Sequence, residues 1–569
     1  MTETMDTEPQ RRIAAEDYLD ALGAHGIDHL FCNPGTDFAP IVEAYARAGR
    51  SNRKVPRPMV VPHENAALSM AHGYTMITGR PQAVMLHTNV GLANSINMLI
   101  DASRDRVPVL LTSGRTPFTE AGAEGSRSFY IHWAQEMYDQ AGMLREMVKW
   151  DYEMKRGDQA ARVVDRALEL AMASPKGPVY LSLPREVLGE VVDAPAESNR
   201  AHRLVPSAPV PSASDIEQLA EWIAAARSPV VITGLLGQDP RDAVVLSRLA
   251  EQWALPVVPF NTRYFAISAN HPMFQGSAPG SLLDGADLVI VIESDVPWMP
   301  SKEAPPAGAR IVQIGEDPLY ARYPMRSFPS DLTITASALS ALEALEQALR
   351  GRTRAFTEER RVRLVARSRE LHAQWRTEAE QAGRGNKNTL AWLNHCLRDI
   401  VDRATIVVSE YSFRQEYCPL EAPGGLFSLS SAGGLGWGFG ASLGAKLAAP
   451  ERQVLSVLGD GAYMFANPTA CHYMAQMQKL PVLTVIYNNA RYNAVRRATL
   501  DMYGKGVAAE GDGRLLADLP APNFEKIVEA HDGHGERVEH PAELPAALRR
   551  AADAVHGGRQ ALVNVICPS

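Results

Sequence analysis

The 569-residue chain has no run of apolar residues approaching the roughly eighteen that a membrane helix requires. Its first stretch, Met1 to Arg12, is acidic and polar and lacks the apolar centre of a secretory signal. A basic excess is missing too. The 57 Lys and Arg against 65 Asp and Glu leave a net charge of −8, which excludes the electrostatic footprint of a nucleic-acid binder. Cysteine is scarce: Cys32, Cys396, Cys418, Cys471 and Cys567 are scattered, odd in number and never spaced as C-x-x-C. That excludes a disulfide framework and a cysteine zinc site. These absences point to the cytoplasm, with neither a membrane nor nucleic acid as partner. Low-complexity tracts and short repeats are also lacking.

What the chain does have is the balance of a globular protein, 46% hydrophobic and 21% charged. At roughly 150 residues per domain, its length allows three or four domains. Three blocks alternate strand-like and helix-like patterns, and we assign them to residues 10–192, 205–350 and 386–569. Buried-strand runs occur at His29–Phe31, Ala83–Leu86, Val107–Leu111 and Val179–Pro184 in the first block. The second has them at Pro229–Thr233, Leu288–Ile292 and Arg310–Ile314, and the third at Val454–Leu458 and Val482–Tyr487. Asp193–Ser212, rich in Ala, Pro and Ser, reads as a linker. Gly351–Gly383, dense in Arg and Glu, reads as a solvated helix crossing between domains. Parallel strands need crossover helices, so the expected fold class is α/β, with three doubly wound parallel-sheet domains in a row.

The strongest motif lies in the third block. Gly459-Asp460-Gly461 follows a strand, where open α/β sheets bind ligands. A helix capped by Asn467, with Pro468 in its first turn, is expected to run to about Lys479. The next strand then delivers Asn488-Asn489, which brings Asp460 and Asn489 to neighbouring strand ends. One carboxylate, one amide oxygen and a nearby backbone carbonyl leave room for phosphate oxygens and water in the octahedral shell magnesium demands. Taken singly, G-D-G is also a turn and N-N also a loop.

The pair, 29 residues apart, resembles the signature of thiamine diphosphate-dependent enzymes. The likeness extends over nearly the whole chain and is closest to the benzoylformate decarboxylase and acetolactate synthase-like branches. It implies a pyrimidine-binding, a central and a diphosphate-binding domain. Asp460, Asn489 and Arg491 would hold Mg2+, and Gly459, Asp460, Gly461, Ala462, Asn489 and Tyr492 would hold the cofactor. In Ser431–Gly438 the resemblance places Leu435 beneath a V-shaped cofactor, with the Gly433 carbonyl accepting from its amino group. Glu64, in Pro62-His63-Glu64-Asn65, would bind the aminopyrimidine ring and activate the cofactor. Taken alone, Glu64 reads as a glutamate favourably placed at a helix start; beside the third-block motif, the activating role is the reading adopted.

Three further details resemble benzoylformate decarboxylase. They are Thr36 in Asn33-Pro34-Gly35-Thr36, His87 in Leu86-His87-Thr88 at 23 residues from Glu64, and His271 in Asn270-His271-Pro272. The resemblance makes Thr36 a substrate contact and the two histidines proton carriers. Ala498 departs from the aryl-specific pattern, and Ile131-His132-Trp133-Ala134-Gln135-Glu136 is closer to the synthase branch. Arg414, Arg496 and Arg497 are open to holding an acidic substrate group or to being plain surface charges. The implied activity is decarboxylation or carboligation of a 2-oxo acid through an enamine/carbanion intermediate. Alternatives are an acetolactate synthase-like acyloin-forming synthase and a C–C hydrolase or lyase of the same family. Outside that class stand a flavin (FAD) enzyme, on the weak dinucleotide signal Gly234-Leu235-Leu236-Gly237, and a non-catalytic paralogue. In the family the cofactor is shared between subunits, which implies a homodimer at least and a homotetramer as the expected assembly.

Overall fold

A computed structural model describes residues 12–51, 53–193, 206–520 and 522–567. Most of the expected linker, residues 194–205, lies outside the described residues, as does nearly all of the Met1–Arg12 stretch. The chain divides into two compact units, Met1–Ser207 and Ala208–Ser569.

The first unit is built on a six-stranded, wholly parallel sheet. Its strands in chain order are His29–Asn33, Arg57–Val60, Gln82–Leu86, Val109–Arg115, Asp151–Glu153 and Val179–Pro184, and across the sheet they lie in the order 2-1-3-4-6-5. Gln82–Leu86 and Val179–Pro184 are buried along their whole length, as strands covered on both faces must be. A two-residue antiparallel clasp, Arg12–Ile13 on Val191–Val192, joins the ends of the unit.

The second unit holds two more parallel sheets. The central one orders Pro229–Thr233, Val257–Pro259, Leu288–Ile292, Arg310–Gly315 and Leu332–Thr335 as 2-1-3-4-5. The last one orders Ile406–Glu410, Leu426–Ser428, Val454–Gly459, Leu483–Asn488, His534–Val538 and Ala561–Ile566 as 2-1-3-4-6-5. In all three sheets the winding direction reverses between the first and third strands, and the crevice at their carboxyl ends is where such sheets take ligands.

The helix expected over Gly351–Gly383 forms as Thr357–Gly383, but it is not solvated all round. Arg360 is buried and its guanidinium donates to the carbonyls of Ala226, Trp253 and Ala254 at 2.6–2.8 Å, docking the helix on the C-terminal ends of helices Ala213–Ala225 and Pro240–Trp253. Among the described residues no helix is long and apolar enough to cross a membrane.

Candidate cofactor and active site

In the last sheet the chain turns directly from strand Val454–Gly459 into a short helix, Asp460–Phe465, and a second helix, Pro468–Met477, follows. The expected single helix capped by Asn467 is therefore corrected. Asn467 sits before Pro468 in a left-handed conformation (φ 53°) with no side-chain capping bond, and the helix ends at Met477 rather than Lys479. The extra turn arises because Asp460 itself starts a helix.

Asp460 is 4% exposed. Its Oδ1 accepts from the Gly461 amide at 2.9 Å and its Oδ2 from the Arg491 amide at 3.3 Å. Asn489 Oδ1 accepts from the same Arg491 amide at 3.1 Å, so the two side-chain oxygens converge on one nitrogen. Burial pushes the Asp460 carboxyl up from its ordinary value, and the amides of Gly461, Arg491 and Ala490 oppose that shift. A buried carboxylate held by amides alone has a place for a countercharge, and the donors are hard oxygens. Among the described residues no cluster of three or more His, Cys, Asp or Glu side chains could hold a metal ion. A one-carboxylate oxygen set suits Mg2+, which keeps waters and phosphate oxygens in its shell. The Arg491 carbonyl, already accepting from Asn493 at 3.0 Å, retains a second lone pair. Tyr492 closes over Gly461: a Cβ there would stand 2.9 Å from the ring. Ala462 lies buried in the first turn of the short helix.

The Ser431–Gly438 loop is anchored by a residue that sequence reasoning missed. Glu410, fully buried at the end of its strand, accepts from the amides of Gly436 (2.7 Å) and Gly438 (2.8 Å). Burial raises its carboxyl to about 7, against the pull of those two amides. Gly436 takes φ 95°, and a Cβ there would lie 2.4 Å from the Phe465 carbonyl, which only glycine permits. Gly433 (φ 70°) and Leu435 stand on the same loop. Ser431 at its start hydrogen-bonds Asp295 (2.5 Å) and Arg263 (2.6 Å), a buried ion pair of the central sheet.

In the first unit, Thr36 follows the first strand, Glu64 opens helix Glu64–Thr78 and His87 follows the third strand. Glu64 is cradled by helix Thr88–Arg104: Asn94 Nδ2 donates to its Oε2 at 3.1 Å, and its Oε1 lies 3.4 Å from where a Cβ on Gly91 would stand. His87 Nδ1 meets Asp37 Oδ1 at 2.6 Å. That hydrogen bond, reinforced by the charges of Asp37 and Glu64, raises the imidazole above its ordinary value against the effect of burial. Gly35 and Gly114 make room for the pair, since a Cβ would stand 2.1 Å from His87 Nδ1 at the former and 1.9 Å from Asp37 Oδ2 at the latter. Asp37 was also missed; its signal was a carboxylate directly following the Asn33–Thr36 turn.

His271 lies elsewhere, in a central-sheet turn of the second unit. Its Nδ1 accepts from the Met273 amide at 3.1 Å, and burial lowers its pKa. Its described contacts are local to that turn. Arg496 is paired with Asp512, while Arg414 and Arg497 are exposed. The dinucleotide-like Gly234–Gly237 loop is packed against protein: Leu235 donates to the Glu293 carbonyl at 2.6 Å, and a Cβ on Gly237 would meet the Phe265 carbonyl at 2.2 Å.

Three parallel sheets, a glutamate and a histidine in one crevice, and a converging Asp–Asn oxygen pair in another define a cofactor-binding α/β enzyme. The comparisons with known proteins agree. Residues 13–143 match the thiamine pyrophosphate enzyme N-terminal TPP binding domain, 216–345 its central domain and 409–565 its C-terminal TPP binding domain. The chain belongs to the thiamine pyrophosphate enzyme family. It is 29% identical over 552 residues to benzoylformate decarboxylase of Pseudomonas aeruginosa, covering 94% of this chain and 95% of that one. It is 26% identical over 581 residues to a probable acetolactate synthase of Mycobacterium bovis, covering 99% and 97%. Its fold matches the thiamine diphosphate-dependent 4-hydroxybenzoylformate decarboxylase of Rhodococcus jostii with a TM-score of 0.78 at 24% identity, over 98% and 99% of the two chains.

Proposed function

We propose that the chain is a Mg2+- and thiamine diphosphate-dependent enzyme that decarboxylates a 2-oxo acid, with residues 10–192, 205–350 and 386–569 as its pyrimidine-binding, central and diphosphate-binding domains. The observation that carries the metal and diphosphate reading is the convergence of Asp460 and Asn489 on the Arg491 amide. Asp460, Asn489 and the Arg491 carbonyl would hold the cation, and Gly459, Gly461, Ala462 and Tyr492 would line the diphosphate. Gly433 and Leu435 would meet the rings, and Glu64 would bond the aminopyrimidine. When bound, the cofactor would supply a nucleophilic carbon and an electron sink for the decarboxylation.

The residues of this chain do the rest. The hydrogen bond and charge of Asp37 favour the cationic form of His87, which suits it to hold the substrate carboxylate and later to donate a proton at the carbon that lost it. Thr36, exposed on the neighbouring turn, offers a hydroxyl to the same anion. His271 is a weaker candidate, because its Nδ1 is taken by its own turn. The similarity to benzoylformate decarboxylase supports the lyase outcome, and that to acetolactate synthase keeps acyloin formation as the second product class.

A homo-oligomer, with a homodimer as its minimum, is part of the proposal. Phe118, Phe129, Tyr130, Trp133 and Tyr138 are each 49% exposed or more within residues 118–138 of the first unit, and such apolar surface favours association. Sedimentation would read the assembly directly. The function is tested by thermal unfolding with and without thiamine diphosphate and Mg2+, then by carbon dioxide release from a panel of 2-oxo acids. A ligand at 100 times its Kd adds about 2.7 kcal/mol of stability. Absence of any shift in protein stripped of cofactor would remove the proposal.

A further inference from the structure

His132 is 2% exposed and its ring lies against Phe129, in a segment where the sequence offered no role for it. Its Nδ1 accepts from the amides of Ser128 (3.1 Å) and Phe129 (3.4 Å). A nitrogen that accepts carries no proton, so the neutral ring bears its hydrogen on Nε2. That Nε2 lies 3.3 Å from the hydroxyl of Thr36. A threonine hydroxyl has one hydrogen to give. With a lone pair engaged by His132, the hydroxyl's own O–H is turned elsewhere, and Thr36 is exposed.

The arrangement is braced. The buried guanidinium of Arg185 donates to the carbonyls of Thr36 (3.3 Å), Gly125 (2.7 Å) and Ser126 (2.6 Å), tying the Thr36 turn to the loop that carries His132. Consecutive residues thus each hold a histidine: Thr36 holds His132 and Asp37 holds His87. The surroundings drive the two rings apart. Burial, then the charges of Arg185, Arg127 and His87, lower the pKa of His132 against the weaker pull of Glu186, while Asp37 and Glu64 favour the cation on His87. Groups separated in this way take different parts in one site.

We propose that His132 is a positioning residue that fixes the Thr36 hydroxyl as a hydrogen-bond donor to the carboxylate of the 2-oxo acid. The inference rests on the 2-oxo acid reading above and assigns part of its substrate recognition to a residue pair 96 positions apart.

The test uses holoenzyme, with benzoylformate and pyruvate as probes. Binding is measured in a Glu64→Gln background, and carbon dioxide release with Glu64 intact. In His132→Asn the amide oxygen still accepts from Ser128 and Phe129, but the side chain no longer reaches Thr36. The Kd and KM for the acid are expected to rise about tenfold, the scale of one hydrogen bond to a charged group, with kcat and the shape of the pH profile little changed. Thr36→Val should match it, the double variant should be no worse than either, and His132→Gln, whose amide NH2 stands near the former Nε2, should recover most of the loss. Wild-type affinity in either single variant, or losses that multiply in the double variant, overturns the inference. Thr36→Val alone decides if His132→Asn does not fold. Acid binding weakened by His132→Asn without any carbon dioxide release by wild type sinks decarboxylation and keeps the positioning role. Carbon dioxide release indifferent to His132→Asn does the reverse, and failure of wild type to bind either acid removes both.

Discussion

Asp37→Asn is the sharpest probe of the acid–base assignment. The replacement keeps the shape but removes the charge that faces His87 at 2.6 Å, where Asp37 is 2% and the imidazole 16% exposed. A hydrogen bond between charged partners contributes about 1.5–3 kcal/mol. At about 1.36 kcal/mol per tenfold in rate, its loss should lower kcat/KM by about 10- to 150-fold. The pH dependence carries the sign. The folded-state pKa of His87 is raised, so the rate that needs its cation falls as pH rises through that value, and in Asp37→Asn this fall moves to lower pH. Stability obeys the same linkage. The contribution of the pair is fully present below the unfolded histidine value of about 6.5 and is lost as pH rises through the folded value, so the melting-temperature gap between wild type and variant narrows on going alkaline. Gly114→Ala attacks the pair from the other side. Its Cβ would stand 1.9 Å from Asp37 Oδ2, so the carboxylate must leave, with a crowding cost of about 1–3 kcal/mol. Stopped-flow or coupled assays from pH 5 to 9 and melting curves over the same range read both effects. Superimposable pH–rate profiles together with a gap that ignores pH would refute the reasoning.

Asp460→Ala should abolish the thermal shift given by thiamine diphosphate and Mg2+, while Glu64→Gln keeps the shift and loses turnover; melting curves of the two variants separate binding from activation. Gly461→Ala places a methyl group 2.9 Å from the Tyr492 ring and should weaken the cofactor about tenfold or more by displacing it, measured by titration of stripped protein. Arg263→Met leaves Asp295, which is 2% exposed at its side chain, buried without its cation and should cost about 3–5 kcal/mol, with Asp295→Asn in the same chain restoring much of it in thermal unfolding. Glu410 is raised to about 7 by burial, so its favourable contribution is full below the unfolded glutamate value and lost as pH climbs through 7. Glu410→Gln should therefore flatten the loss of stability between about pH 4 and 7, read by melting temperature in the absence of cofactor.

The runs of β-branched and aliphatic residues at Leu288–Ile292 and Val454–Leu458 made the strands legible, because strands covered on both faces tolerate little else. That Asp460 and Asn489 lie at the ends of neighbouring strands was legible from the pair and not from either motif alone, since G-D-G singly is also a turn. The partners of these residues were not legible. Asp37, Glu410 and His132 act on groups 50, 26 and 96 positions away, and, apart from Asp37's place directly after the Asn33–Thr36 turn, nothing local in the chain distinguishes them from other buried polar residues. Asn467 misled for the opposite reason. Its local signal for a helix cap was sound, but Asp460 had already begun a helix and left Asn467 at a left-handed corner.

The order 2-1-3-4 common to the first four strands of the three sheets invites a comparison among them. Each sheet offers the same gap, after its first strand and after its third. In the first sheet the gap is framed by Thr36 and His87, in the last by Glu410 and Asp460, and in the central one by Gly234 and Glu293. There the Glu293 carbonyl bonds the Leu235 amide, and a Cβ on Gly234 would stand 3.1 Å from that same oxygen. Backbone also bridges the gap of the last sheet, between Tyr411 and Leu458. The molecule thus repeats one architecture three times, with candidate site residues framing two of the gaps and packed backbone framing the third.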